Sequence, residues 1–501
     1  MAEHGLKDPV GQGIASTETA EAAFQVFKHY ITAILPYRPL LTTRSRLPTH
    51  PFLRSACLFS ASRCAPQVTL FTPTQIRNLE KNLCQNLLAY QRGCRPSLES
   101  VFAGLVLSLL PYGQLAGEVS SSDFDPARMV GMSYGQIREL GHSVFIERMV
   151  DMLESDMAVE HITEALDNAR LQLCIMARTT WTSVSRCPSN DFPTPLNRTH
   201  RRFIELLSQR GAICDIDRHL KFEHLCLDIL MNQSEAWRKL DRVATPSAKE
   251  LRNGNQATTA GVTELDALRK RAKKEAGDLT SLPWLLCQIS YAKWWIATRN
   301  VWFSHRIATP LVVKEVCDEW GVGSSLAAQA SNDMVAQCLE EGWDLRTFPK
   351  AIGTALVLCY HSLSKGKEHL RYHFPDQPLP EWLDGYDRLQ AIQAVLKDSC
   401  PALQHMLLRA QVTLDEYKRQ LDLQSRFYMA DLVDTSHSAP PFSFDFSVDF
   451  GLEGVRLEAM DSGSNSRGQS NGILPPWDPF TELGGGWDWQ QTTTLWDRSV
   501  L

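Results

Sequence analysis

Apolar residues recur along this chain at helical spacing. From Ser97 to Leu110, the residues Leu98, Val101, Phe102, Leu105, Val106 and Leu109 fall at i, i+3, i+4, i+7, i+8 and i+11. That spacing predicts a helix with a single apolar stripe. Pro96 and Ser97 open it and Pro111 closes it. Asp125 to His142 and Ala169 to Cys187 predict two more helices, and the rest of the chain is organised around these three. Upstream, Phe24, Phe27, Ile31, Ile34 and Leu35 share one side of a helix stopped by Pro36. Phe52 to Ser62 reads as a short helix rich in small residues, and Ile76, Leu79, Leu83 and Leu87 are in phase over Thr74 to Tyr90.

Downstream, Arg201 to Asn232 is helical with an interruption near Gly211. Ser281 to His305 carries Trp284, Trp294, Trp295 and Trp302 and predicts a central buried helix. Further helices are expected at Leu311–Trp320, Ser324–Glu341, Lys350–Ser364 and Tyr386–Met429, the last broken at Pro401. Arg44 to Pro51 and Cys187 to Pro195 read as irregular, and Ala244 to Val262, rich in Gly, Thr and Asn, reads as a polar surface loop. Alternating runs bounded by hairpin turns are missing, and no repeat period stands out. The expected fold is therefore all-α. A disordered head at 1–20 precedes a multi-helix domain at 21–430.

At Val433 the pattern changes. Pro, Gly and Ser become dense and helical periodicity stops. Phe442, Phe444, Phe446 and Phe450 interleave with Asp445 and Asp449, and Trp477, Phe480, Trp487, Trp489 and Trp496 continue the theme beside further aspartates. Residues 431–501 thus read as a disordered acidic–aromatic tail. Solvating tails are poor in aromatic residues, whereas acidity that keeps aromatics in water is the pattern of an activation segment docking into coactivator grooves.

Composition adds bounds. Over 501 residues, hydrophobic content is 44% and charged content 22%, in the range of globular proteins. A net charge of -6 supplies no whole-chain attraction to nucleic acid. The first residues carry no apolar core of signal-peptide length, and the apolar run near Leu110 is too short to span a bilayer. An intracellular protein without a membrane span is expected. None of the thirteen cysteines forms a Cys-x-x-Cys pair. Cys84, Cys174, Cys226, Cys287, Cys338 and Cys359 sit in apolar helical contexts, as small core residues do in a reducing compartment. No metal and no cofactor are expected, since neither a zinc signature nor a phosphate or dinucleotide loop is readable.

Few motifs suggest catalysis. Gly131-Met-Ser133-Tyr-Gly135 matches the nucleophile elbow of serine hydrolases, but that elbow needs a strand before it and a helix after it. A helix-packing serine is the simpler reading, and a Ser133 hydrolase is the alternative function. His369 and His373 have the i, i+4 spacing of a helical metal pair without the glutamate of a zinc signature. Asn332 and Glu340 approach the magnesium triplet of terpene synthases, with Ala336 where a hydroxyl is needed; solvent-facing acids are the plainer reading. No catalytic residue is assigned. The dense basic run Arg269, Lys270, Arg271, Lys273 and Lys274 fits a nuclear localisation signal as well as a solvated helix face, and should be accessible in either case.

A family resemblance runs through several of these segments in order. Phe24 to Pro36, Pro51 to Arg63, the helix from Ser100 to Leu110, Gly131 to His142 and Ala169 to Ser183 resemble the middle regulatory region of fungal binuclear zinc-cluster transcription factors. They come closest to the branch resembling the leucine-biosynthesis activator. The family has a Leu between the Gly and His that are adjacent here as Gly141 and His142, and its third-helix aromatic comes later here, as Trp181. Its six-cysteine DNA-binding cluster is not present before Phe24. The resemblance implies a nuclear transcription regulator, not an enzyme, with metabolic or biosynthetic genes as the class of target. Direct sequence-specific DNA binding by this chain is not expected. The expected partners are transcriptional coactivators and a DNA-binding protein, with homo- or hetero-oligomers open.

Overall fold

The computed structural model describes residues 5–305 apart from 36, 38–46, 65–69, 92–94, 110–125, 141–144, 156–161, 186–197, 211–213 and 241–246, together with scattered helical residues between 322 and 419. Eleven helices order the described part. They are α1 (Thr17–Ile34), α2 (Pro51–Cys64), α3 (Pro73–Gln91), α4 (Leu98–Ser108), α5 (Pro126–Glu139), α6 (Phe145–Glu154), α7 (Thr163–Ser185), α8 (Arg198–Gln209), α9 (Asp215–Leu240), α10 (Ala248–Glu275) and α11 (Leu282–His305). There is no strand among the described residues. The fold is all-α, as the periodicity predicts.

Packing follows the chain and then closes on itself. α1 lies on α2, α2 on α3 and α4, α4 on α5, and α5 on α7. α6 bridges α7 and α8, α9 crosses α7, and α9, α10 and α11 pack on one another before α11 returns to α1. One continuous apolar core runs through all of them. The expected faces point inward: Phe24, Phe27, Ile31, Ile34 and Leu35 of the first helix are buried, as are Leu79, Leu83 and Leu87 of α3.

α4 departs from the single-stripe expectation. Ser97 caps it through a reciprocal box with Ser100, and every residue from Ser100 to Ser108 is buried. A helix flanked on several sides has no polar face to show, and Ala103, Gly104 and Ser108 are small enough to admit close neighbours. It packs on α2 and α5 and touches α7 less extensively. Its last carbonyls are met from two sides: Arg178 Nη2 donates to Ser108 O (3.2 Å) and the Tyr30 hydroxyl donates to Leu109 O (3.3 Å).

Three other expectations are corrected. The polar stretch expected as a loop over Ala244–Val262 is helical from Ala248 onward, in α10. Ser247 and Glu250 form a capping box, and Leu251, Asn255, Thr258, Gly261 and Leu265 make a buried seam on the helix. A Cβ on Gly261 would stand 2.8 Å from Gln233 Cγ on α9, so the small residues that imitate loop composition set a close helix approach. The head is not loose over its described residues. Pro9 and Ala15 are buried, and residues 8–14 form hydrogen-bonded turns seated on α2 and α3. Between His142 and Ala169 the structure adds α6, which the sequence reading lacked; its Glu154 accepts from Arg202 of α8 at 2.9 Å.

α11 is the buried helix its aromatics predict. Residues 284–298 are all buried, Trp284, Trp294 and Trp295 among them. No helix among the described residues is long and apolar enough to cross a membrane.

Candidate functional site

The basic run occupies the last two turns of α10. Lys270, Arg271, Lys273 and Lys274 are exposed, while Arg269 is half-buried and donates to Gln337. Arg271 lies over the Phe222 ring (5.7 Å) and near Glu275 (3.9 Å). Positive charge there also complements the carbonyl end of the helix. The run is accessible on a helix surface.

Ser133 is a helix-packing residue. It sits inside α5, not on a strand–turn–helix, with 0% of its surface exposed, and its hydroxyl donates to Val101 O of α4 at 3.0 Å. The flanking Gly131 and Gly135 lie in the same helix, with open space where a Cβ would be. Nothing in that geometry serves a nucleophile elbow.

The other sequence candidates divide. Asp333 is not a free solvent-facing acid: it takes a 2.6 Å hydrogen bond from Lys293, a buried lysine that also holds Asp266 at 3.0 Å. Cys57, Cys84, Cys174, Cys226 and Cys287 are buried and in no disulfide, and burial pushes Cys174 up from its ordinary pKa. Cys214 is exposed, yet burial around its sulfur and the nearby Asp217 carboxylate hold it as a thiol, at about 11. Ala336 is helical and half-buried, whereas His369, His373, Glu340, Cys338, Cys359 and the whole tail, with Phe442, Phe444, Phe446, Phe450, Trp477, Phe480, Trp487, Trp489 and Trp496, lie outside the described residues. No group of three or more His, Cys, Asp or Glu able to hold a metal occurs among the described residues.

The structure assembles a polar seam that the sequence does not announce, where α7, α9 and α11 meet. Arg170 of α7 forks onto Asp217 of α9, Nε to Oδ1 at 2.8 Å and Nη2 to Oδ2 at 2.6 Å, and Nη1 reaches Asp167 at 3.0 Å. Burial works against the guanidinium charge, and the Asp217 hydrogen bonds and charge outweigh it, so the Arg170 pKa is raised. Two turns on, Glu223 accepts from Trp181 Nε1 (2.9 Å) and Gln288 Nε2 (2.6 Å), and His219 Nε2 lies 3.6 Å from its other oxygen. His219 Nδ1 meets Ser281 Oγ at 3.0 Å. Burial alone would raise the Glu223 pKa; the hydrogen bond to His219, the fields of His219 and His224 and the Gln288 hydrogen bond pull it down to about 2.

Ser281, His219 and Glu223 are the residue types of a hydrolytic triad, but their exposures are 0%, 1% and 5%. A nucleophile must meet its substrate, and here each member is committed to the interior. The arrangement joins three helices through satisfied polar contacts and sets their register. Beside it, His224 is buried with neither ring nitrogen hydrogen-bonded, and burial lowers its pKa to about 3. None of these residues carries a local motif. Arg170 and Asp217, Trp181 and Glu223, and Gln288 and Glu223 are partners on separate helices, and helical periodicity alone does not mark which polar residue turns inward.

Protein-family models, curated proteins and solved structures give no match to this chain.

Proposed function

We propose that this chain is a nuclear regulator of transcription that acts through protein partners. The observation that carries the reading is the accessible basic run: four of its five cations are exposed on the final turns of α10. Cationic runs of this density are read by import machinery and by acidic surfaces. Support also comes from the ordered resemblance of α1, α2, α4, α5 and α7 to a regulatory region, and from the acidic–aromatic composition of residues 431–501. The proposed partners are coactivators that take the tail aromatics and a DNA-binding protein that brings the chain to its targets.

The test is localisation of the full-length chain fused to a fluorescent protein. Replacing Arg269, Lys270, Arg271, Lys273 and Lys274 with Ala should move the signal to the cytoplasm. Nuclear accumulation unchanged by the five substitutions would refute the import role and leave the run as a solvated helix face.

A further inference from the structure

The seat beneath residues 6–14 reads a short peptide, and reads it mainly by backbone. Asn86 of α3 closes on both sides of Lys7: its Oδ1 accepts the Lys7 N–H (2.6 Å) and its Nδ2 donates to the Lys7 carbonyl (2.9 Å). One turn earlier on the same helix, Asn82 Nδ2 donates to the same carbonyl (3.0 Å) and to Gln12 Oε1 (2.8 Å). Gln75 Nε2 donates to the Ile14 carbonyl at 3.1 Å. The two asparagines are locked from behind by Ser55, whose hydroxyl donates to Asn82 (2.6 Å) and accepts from Asn86 (2.7 Å). Paired carboxamides that hold a peptide's N–H and C=O recognise main chain, which any sequence offers.

Side chains add the selectivity. Arg54 of α2 pairs with Asp8 at 2.6 Å. The Asp8 carboxylate also accepts from Val10 N–H at 3.1 Å, an Asx turn around the buried Pro9. Pro9 then starts a helical turn in which Gln12 N–H donates to Asp8 O and Ile14 N–H to Pro9 O. The Lys7 side chain is exposed and unread. The seat therefore selects Asp-Pro-apolar, any residue, then a side chain with an acceptor oxygen at the fifth place.

Asp-Pro occurs three times in the chain, at Asp8-Pro9, Asp125-Pro126 and Asp478-Pro479. Pro126 starts α5, and the fifth place there is Met129. The third copy reads Asp478-Pro479-Phe480-Thr481-Glu482, with an apolar residue third and a carboxylate fifth. We infer that the tail segment Trp477–Glu482 docks on this seat, in exchange with the chain's own residues 6–14. Asp478 meets Arg54, Glu482 meets Asn82 Nδ2, Asn86 holds the Trp477 peptide, and Trp477 lies outward where Lys7 now is. Docking withdraws the Trp477 and Phe480 cluster from other partners, and release of the tail requires the head to return. This exchange does not depend on the tail activating transcription, because it is measured as binding.

The experiment uses purified full-length chain carrying Asp478→Ala and Glu482→Ala, so that its own tail does not compete, and a fluorescent peptide spanning Ile473–Gly486. Adding Asp8→Ala and Gln12→Ala to loosen the head should tighten peptide binding about tenfold, the equivalent of one lost charge-assisted hydrogen bond. Arg54→Ala should weaken it by about the same factor. Arg54→Glu should abolish binding of the native peptide and restore it to a peptide with Asp478→Lys. The Arg54 side chain is 14% exposed and also donates to the Pro48 carbonyl at 2.7 Å, so the far-UV spectra of these variants are checked first, and only variants with the native helical spectrum enter the comparison. A folded chain that takes up no peptide with the head loosened would overturn the inference, as would binding indifferent to Arg54 and Asp478.

Discussion

Arg170 and Asp217 join α7 to α9 through two parallel hydrogen bonds, at 2.8 and 2.6 Å, with Asp217 wholly buried. A forked pair of this kind fixes the orientation of both side chains as well as their distance. Removing Asp217 takes away both bonds of the fork and leaves the buried Arg170 guanidinium with Asp167 on its other side. Asp217→Ala should therefore cost about 3–5 kcal/mol in urea melts. A loss below about 1 kcal/mol, the level of an exposed pair, would place the contact in water.

Gly104 and Ser133 are matched across α4 and α5. A Cβ at position 104 would collide with Ser133 Oγ and stand 3.3 Å from the Met129 carbonyl. Gly104→Ala should cost about 1–3 kcal/mol, as overpacking does. Ser133→Ala alone should cost about 1 kcal/mol, the hydrogen bond to Val101. Combined, the two should cost less than their sum, since the colliding oxygen is gone; strict additivity in the double-mutant cycle would disprove the contact.

Leu105 is buried at the middle of α4. Leu105→Ala should lower stability by about 2–5 kcal/mol by denaturant melt. A change under about 0.5 kcal/mol, typical of surface sites, would mean the position is not enclosed.

Stability should fall as pH is lowered through the histidine range. The His224 pKa is held down to about 3 by burial and by the neighbouring His200 and His219, against the opposing pull of Glu223. His200 is lowered to about 4 by burial. Below the unfolded value of 6.5 the unfolded chain binds protons that the folded chain refuses, so protonation favours unfolding. His224 accounts for roughly 2 kcal/mol of loss between neutrality and pH 5. Glu223, lowered to about 2, works further down: its contribution is present above its ordinary value of 4.5 and is lost as pH falls toward 2. His224→Phe should flatten the melting temperature between pH 7 and 5; an unchanged slope would clear His224 of that role.

The tail prediction concerns function. Residues 435–501 fused to an unrelated DNA-binding domain should activate a reporter. Phe442, Phe444, Phe446 and Phe450 form one aromatic cluster and Trp477, Trp487 and Trp496 anchor a second, each weak alone because binding must order the chain. Replacing the four phenylalanines with Ala should cut output strongly, and replacing the tryptophans as well should abolish it. A fusion no more active than the bare DNA-binding domain would end the activation reading.

By itself the sequence determined most of the helices. Phe24 to Leu35 and Leu79 to Leu87 carry a helical period, the aromatic run of α11 is long and apolar enough for a buried helix, and Ser97 marks a start that the backbone obeys. Tertiary structure decided what those helices surround. Gly254, Thr258 and Gly261 have loop composition and become a helix because α9 offers a surface that small residues can approach closely. Glu223, His219 and Ser281 look like ordinary polar residues in the chain and become a buried network only when α9 and the start of α11 are brought together. Periodicity is local and survives in one dimension. The pairing of polar groups depends on which helix lies alongside, and that is settled by the packing of the whole core.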